Sequence, residues 1–165
     1  MTWIIFDEAD RRRPIPYFCL PSILGRPVAL DHYRGRDNLV VFLPSSLDHA
    51  RSREILRAFA GSQHDFHIYD AVLLAIFPEE LEMLKEDAEL VDLPFPVLSD
   101  PGGRTRQKLE ALMSEDLVSD GDALLFVLDQ YGAPYSALIE REFNDPAFQK
   151  DIYKWLEYIG MQCPE

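Results

Sequence analysis

Six residues able to do chemistry stand within one short stretch: Ser45, Ser46, Asp48, His49, Arg51 and Ser52. They follow an apolar run, Leu39-Val40-Val41-Phe42-Leu43, that Pro44 closes. A hydrolytic set would need Ser52 as nucleophile, His49 as base and Asp48 as the acid orienting it. Three residues crowded into one helical turn face different ways, and such triads are defined by geometry rather than adjacency. Anion binding fits the composition better. Ser45, Ser46, His49 and Arg51 beside the unpaired N–H groups of a helix start would hold a small oxyanion or carboxylate. An arginine near the positive end of a helix is unfavourable unless an anion or carboxylate is close. The ordinary alternative is an ion pair with Asp48 or with an acid at a strand end. Thiol chemistry would need a cysteine of lowered pKa at this helix start. The chain holds two cysteines, Cys19 and Cys163, and neither lies there.

His64, His67, Asp65 and Asp70 form a second polar group. Their spacing is that of a loop, and a structural zinc site wants four placed ligands, so a solvated loop is expected and no metal. Two cysteines make neither a disulfide framework nor a zinc motif. Cys19 lies in an apolar stretch, where a cysteine usually acts as a small buried hydrophobe; Cys163 lies in the tail, where a thiol is expected to be exposed. No cofactor is implied.

The elements that must position these groups follow from pattern. Leu39 to Leu43 is continuous, as in a strand covered on both faces. Ser45 and Ser46 are the expected caps of the next helix, with Asp48 in its first turn. The helix is predicted over Leu47 to Phe59, with Leu47, Ala50, Ile55, Leu56 and Phe59 on one face and Gly61 as its stop. Upstream, Trp3 to Phe6 reads as an edge strand or an anchored arm. Tyr17 to Leu20 and Val28 to Leu30 read as a hairpin around Gly25. Downstream, Ser62 to Asp70 is a polar connection and Asp70 to Ile76 a buried strand. Pro78 opens a helix with Glu79 and Glu80 in its first turn, its stripe Leu81, Leu84, Ala88 and Val91. Val97 to Ser99 is a short strand and Arg104 to Leu112 a helix. Asp122 to Asp129 and Pro134 to Ile139 are strands around a tight Gln130-Tyr131-Gly132 turn. Pro146 opens a last helix with the stripe Phe148, Ile152, Trp155, Leu156 and Ile159, ended by Gly160. Strands alternating with helices imply a mixed sheet covered by helices.

The 165 residues suit one domain, with an arm over 1–13, a core over 14–159 and a tail over 160–165. Net charge is −13, from 29 acids against 16 bases; a surface that negative repels phosphate backbones and anionic lipid, which argues against nucleic acid and membrane partners. The start lacks the pattern of a secretory leader. The longest apolar run, Ala71 to Phe77, is far short of the roughly 20 residues of a membrane span. A cytoplasmic protein is expected.

Several passages resemble the peroxiredoxins, the AhpC/TSA branch of the thioredoxin-fold superfamily. Leu93-Pro94-Phe95-Pro96, Leu98-Ser99-Asp100 and Gly103 resemble the family's "lpfPlLsDp.g" segment. Leu125 to Gly132 resembles its "fviD.dG" hairpin. Pro16, Phe18, Leu20, Gly25, Val28 to Leu30, Tyr33 and Gly35 resemble its opening, and the strand ending in Phe42-Leu43-Pro44 its active-site strand. The likeness runs from about Pro14 to Trp155. It implies a three-layer α/β sandwich of thioredoxin type, with a central mixed sheet and an N-terminal β-hairpin. It also implies thiol peroxidase activity and allows a homodimer. Counted from Pro44, however, the family threonine position is Asp48 and the peroxide-attacking cysteine position is Arg51. Read as a C-x-x-C, the two positions are Leu47 and Ala50. The proline, and often an arginine, expected before the later strand are replaced by Asp122-Ala123-Leu124. The resemblance therefore leads to a scaffold without its attacking thiol, a binding or regulatory member for a protein partner or small anion. The alternative is an atypical thiol peroxidase acting through Cys163 or Cys19.

Overall fold

The computed structural model describes residues 3–114, 116–139 and 147–162. Eight strands occur in chain order: β1 (Ile4–Ile5), β2 (Cys19–Leu20), β3 (Val28–Ala29), β4 (Asn38–Leu43), β5 (Ala71–Phe77), β6 (Val97–Ser99), β7 (Leu124–Leu128) and β8 (Pro134–Ile139). The helices are α1 (Ala50–Ala60), α2 (Gln63–Ile68), α3 (Leu81–Lys85), α4 (Ala88–Val91), α5 (Arg104–Glu110) and α6 (Phe148–Met161).

Six strands form one sheet in the order β1-β8-β7-β4-β5-β6. β4, β5 and β6 run parallel, while β7, β8 and β1 are added antiparallel. β4 thus lies inside the sheet, with Val40 opposite both Leu73 and Val127. Side chains alternate across a strand, and β4 feeds two cores. Val40 and Phe42 join Ile55, Leu56 and Phe59 of α1 and Ile152 and Leu156 of α6. Leu39, Val41 and Leu43 join Phe6, Ile15, Phe18, Leu30 and Leu109 on the other face. The result is a central mixed sheet between two covering layers, as expected. Phe59 is the hub of the first core: its ring meets those of Phe42, Phe66 and Phe148 at 5.9, 5.7 and 6.1 Å between centroids. Beyond β6, Ile23 N–H donates to Val97 C=O and Ser99 N–H to Pro21 C=O, so the arm after β2 covers that edge.

β2 and β3 form the expected hairpin as a separate two-stranded sheet, with Cys19 opposite Ala29. Trp3 to Phe6 contributes an edge strand. Five expectations are corrected. Cys19 is exposed, not buried, because the pleat turns Phe18 inward and leaves Cys19 on the outer face. Ser62 to Asp70 is not an irregular connection; it holds α2, anchored by buried Phe66. Pro78 and Glu79 precede α3 rather than opening it, since Glu80 is still extended. The following stripe breaks at Asp87 into two short helices that bury Leu84 and Leu90 while Val91 stays exposed. α6 runs through Gly160 to Met161. Pro146 and Cys163 lie outside the described residues. Among the described residues no helix is long and apolar enough to cross a membrane.

Candidate active-site region

β4 ends at Leu43, and buried Pro44 turns the chain into a five-residue loop, 45–49, before α1. The helix start lies three residues later than its hydrophobic stripe predicts. The cap is His49, not Ser45 or Ser46: its backbone is extended (φ −73°, ψ 106°), and its ring Nδ1 accepts the Ser52 N–H at 3.2 Å. Nδ1 also lies 2.9 Å from Ser52 Oγ. A backbone N–H can only donate, so Nδ1 meets it with its lone pair. Ser52 is fully buried, which removes it as a nucleophile. Asp48 sits exposed in the turn before the cap rather than in the helix. His49 and Ser52 therefore meet, as a cap, and the geometry of a triad does not form.

Residues distant in sequence hold the loop. Glu79, just past the end of β5, receives the Leu47 N–H on Oε1 at 2.6 Å. Its own carbonyl accepts Ser99 Oγ–H at 2.6 Å. Arg53, one turn into α1, donates Nε–H back to the Leu47 carbonyl at 2.8 Å. Its two terminal nitrogens grip both carboxylate oxygens of Asp87. Asp87 in turn caps α4, accepting the Leu90 N–H. The Arg53 hydrogen bond holds the Asp87 carboxyl below its ordinary range, against the opposing effect of partial burial, with the Leu90 N–H adding to the lowering. Beside this bridge Arg57 makes a two-pronged, more exposed pair with Glu89, at 2.8 and 3.0 Å. The turn before β7 closes the rim from the other side, since a Cβ on Gly121 would lie 3.9 Å from Ser45 Oγ.

Arg51 stands in the first turn of α1. It bridges to Glu54 Oε2 at 3.0 Å, three residues along the same helix, with a third of its side chain exposed. Of the backbone donors an anion would use, Leu47 N–H is taken by Glu79 and Ser52 N–H by His49. Cys19 lies on β2, in the hairpin, and not in this loop. His64 and His67 are exposed on α2, and among the described residues no group of three metal-ligating side chains gathers.

The passage through Ser99 and Asp100 has a structural explanation. Buried Asp100 accepts the N–H groups of Thr105 and Arg106 at 3.1 and 3.2 Å, capping α5 across the Gly102-Gly103 turn. Arg106 then donates to the Asp122 carbonyl and, at 2.7 Å, to Glu110. An arginine does reach the turn where sequence offers Asp122-Ala123-Leu124, but it comes from α5 and is engaged by the protein itself. Sequence reading missed Glu79, Arg53 and Asp87 as site residues. Their only local signal was acids and arginines near helix ends, and the pairings span 32 and 34 residues.

Comparison with known proteins agrees with this architecture. Peroxidoxin BcpB from Mycobacterium tuberculosis superposes with a TM-score of 0.71 at 20% identity, covering 89% of this chain and 96% of that one. Peroxiredoxin Q from Xanthomonas campestris superposes with a TM-score of 0.72 at 14% identity, covering 86% and 90%. Prx1a of Plasmodium yoelii, which forms an artifactual octamer when modified at its N-terminus, gives 0.72 at 13% identity, covering 93% and 96%. No curated protein sequence matches significantly. The model of the AhpC/TSA family matches residues 12–142. With that match over most of its length and a three-layer sandwich of thioredoxin type, the chain belongs to the AhpC/TSA family.

Proposed function

We propose that this protein is a binding or regulatory member of the AhpC/TSA family and not a peroxidase. The observation that carries the reading is Arg51 in the first turn of α1, where the family register expects the attacking cysteine. Peroxide reduction needs a thiolate there, and a guanidinium cannot be oxidised and reduced in turn. The surroundings support it. Glu79 and His49 satisfy the loop from within, so the rim stands as a finished surface. The rim residues Ser45, Ser46, His49 and Arg51 make a small carboxylate or oxyanion the ligand chemistry to test first, with a protein partner bearing such a group as its larger form. The loop N–H groups already engaged by Glu79 and His49 leave that recognition to side chains.

A second reading has one observation in its favour. Cys19 is exposed on β2, so a thiol is available to peroxide, with an external thiol as reductant. Peroxide consumption by wild type, Cys19→Ser and Cys163→Ser separates the readings. No turnover in any of the three is the expected result. Turnover that one serine substitution abolishes would replace the binding reading with an atypical thiol peroxidase. Calorimetry with sulfate and acetate, on wild type and Arg51→Met, tests the anion: absence of heat in the wild type removes it.

A further inference from the structure

At the end of β4 opposite the Ser45–Arg51 rim, a cavity of about 220 Å³ opens between the N-terminal arm, the turn after β3 and the turn joining β7 to β8. Ile15, Leu30 and Leu39, all buried, give it an aliphatic floor. Three tyrosines, Tyr17, Tyr33 and Tyr131, stand around it. Tyr17 and Tyr131 are 59% and 46% exposed, so two large aromatic rings face water beside an apolar hole. The walls are set in advance by main-chain bonds. Ile15 N–H donates to the Gly132 carbonyl and Gly35 N–H to the Gln130 carbonyl, each at 2.8 Å, and Leu30 N–H donates to the Phe18 carbonyl at 3.1 Å. Gly132 has φ +78°, a backbone conformation that side chains strain, and a Cβ there would lie in ordinary contact, 3.5 Å, with Leu30 and Pro14 of the wall.

Size and chemistry narrow the occupant. A dry cavity of about 150 Å³ lined by aliphatic and aromatic groups holds benzene, while sites for drug-sized ligands start near roughly 300 Å³. This cavity falls between, enough for one or two fused rings. Tyrosine rings favour an aromatic guest through offset and edge contacts, and the tyrosine hydroxyls and the Gln130 amide can meet one polar group. Asp31 and Arg34, both at the cavity, carry opposite charges, so the lining has no net charge to select an ion.

We infer that this cavity is a binding site for a small uncharged aromatic molecule, of one or two fused rings with a single hydrogen-bonding group, of the phenol or indole class. The site is separate from the α1 rim and stands whether or not the binding reading of that rim holds. The test titrates the full ¹⁵N-labelled chain with indole, and with cyclohexanol as a non-aromatic control, following amide shifts. The expected result is saturable shifts confined to Ile15, Leu30, Tyr33, Gly132 and their neighbours, with cyclohexanol weaker. Tyr131→Ser and Tyr17→Ser, both at exposed positions, are each expected to weaken indole about threefold or more. The proposal is overturned by an absence of saturable shifts at millimolar indole, or by shifts centred on another surface. It is equally overturned if cyclohexanol binds as well as indole and both serine variants bind unchanged. Shifts of the same amides that follow protein concentration without ligand would assign the cavity to a second copy of the chain instead.

Discussion

Replacing Arg53 by methionine keeps the aliphatic stem and removes the guanidinium that joins the loop to α4. Two sets of bonds are lost: one to the Leu47 carbonyl at 2.8 Å and a two-pronged grip on Asp87. The Arg53 and Asp87 side chains are only 16% and 19% exposed, and Glu89 lies 3.9 Å from the same guanidinium. Hydrogen bonds to charged groups contribute about 1.5–3 kcal/mol. Orphaning one member of a fully buried pair costs about 3–5 kcal/mol, an upper bound for a pair that keeps some access to water. Arg53→Met is therefore expected to lose about 2–3 kcal/mol at neutral pH, between the hydrogen-bond scale and that bound. At about 2–4 °C per kcal/mol for a chain of this size, Tm falls by roughly 4–12 °C. Thermal and urea unfolding followed by circular dichroism reads the loss, and a double-mutant cycle with Asp87→Asn isolates the pair. The pH dependence has a definite sign. Asp87 is held below its unfolded pKa, so the stabilisation is complete above that value and disappears as pH falls through the lower folded one, in the acid range below about pH 4. An Arg53→Met protein within about 0.5 kcal/mol of wild type at pH 7, the range of an exposed pair, would refute the bracing role.

Glu79→Ala leaves the Leu47 N–H without its acceptor and is expected to cost about 1–3 kcal/mol; amide exchange at Leu47 should quicken more than in β4, and equal protection in both proteins would contradict this. Asp100→Ala removes the acceptor shared by Thr105 and Arg106 and should destabilise by about 1–2 kcal/mol, whereas Asp100→Asn should recover part of the loss in the same urea titration. Phe59→Ala opens a hole among Phe42, Phe66 and Phe148 and should cost about 3–5 kcal/mol; a loss under 2 kcal/mol would mean that the three rings collapse into the space.

Where composition and punctuation coincide, the chain reads directly. Val97–Ser99 and Pro134–Ile139 have the boundaries their turn residues predict, and the runs at β4 and β5 shift by one residue or less. Short polar helices escape that method. α2 has a single buried residue, Phe66, and with His64, Asp65 and His67 around it no periodicity rises above that of a loop. The start of α1 departs from its stripe because an imidazole nitrogen, rather than the commoner serine oxygen, takes the Ser52 N–H. Cys19 departs from the usual burial of its residue type because the pleat that buries Phe18 turns the thiol outward. The candidate site was half legible. Arg51 and the polar loop are visible in one stretch, but Glu79, Asp87 and Gly121 come to it only through the parallel pairing of β4 with β5 and the antiparallel pairing with β7. Local patterns carry no record of contacts made across a sheet.

The loop between β4 and α1 is tethered at both the N–H and the carbonyl of one residue, Leu47, by groups from two different elements. Such a surface is preorganised. A visitor arriving at it has no segment to freeze, so little of the intrinsic interaction is consumed in ordering the host. Association at this rim should then proceed in a single bimolecular phase, its rate set by encounter and by the salt in solution rather than by a conformational gate.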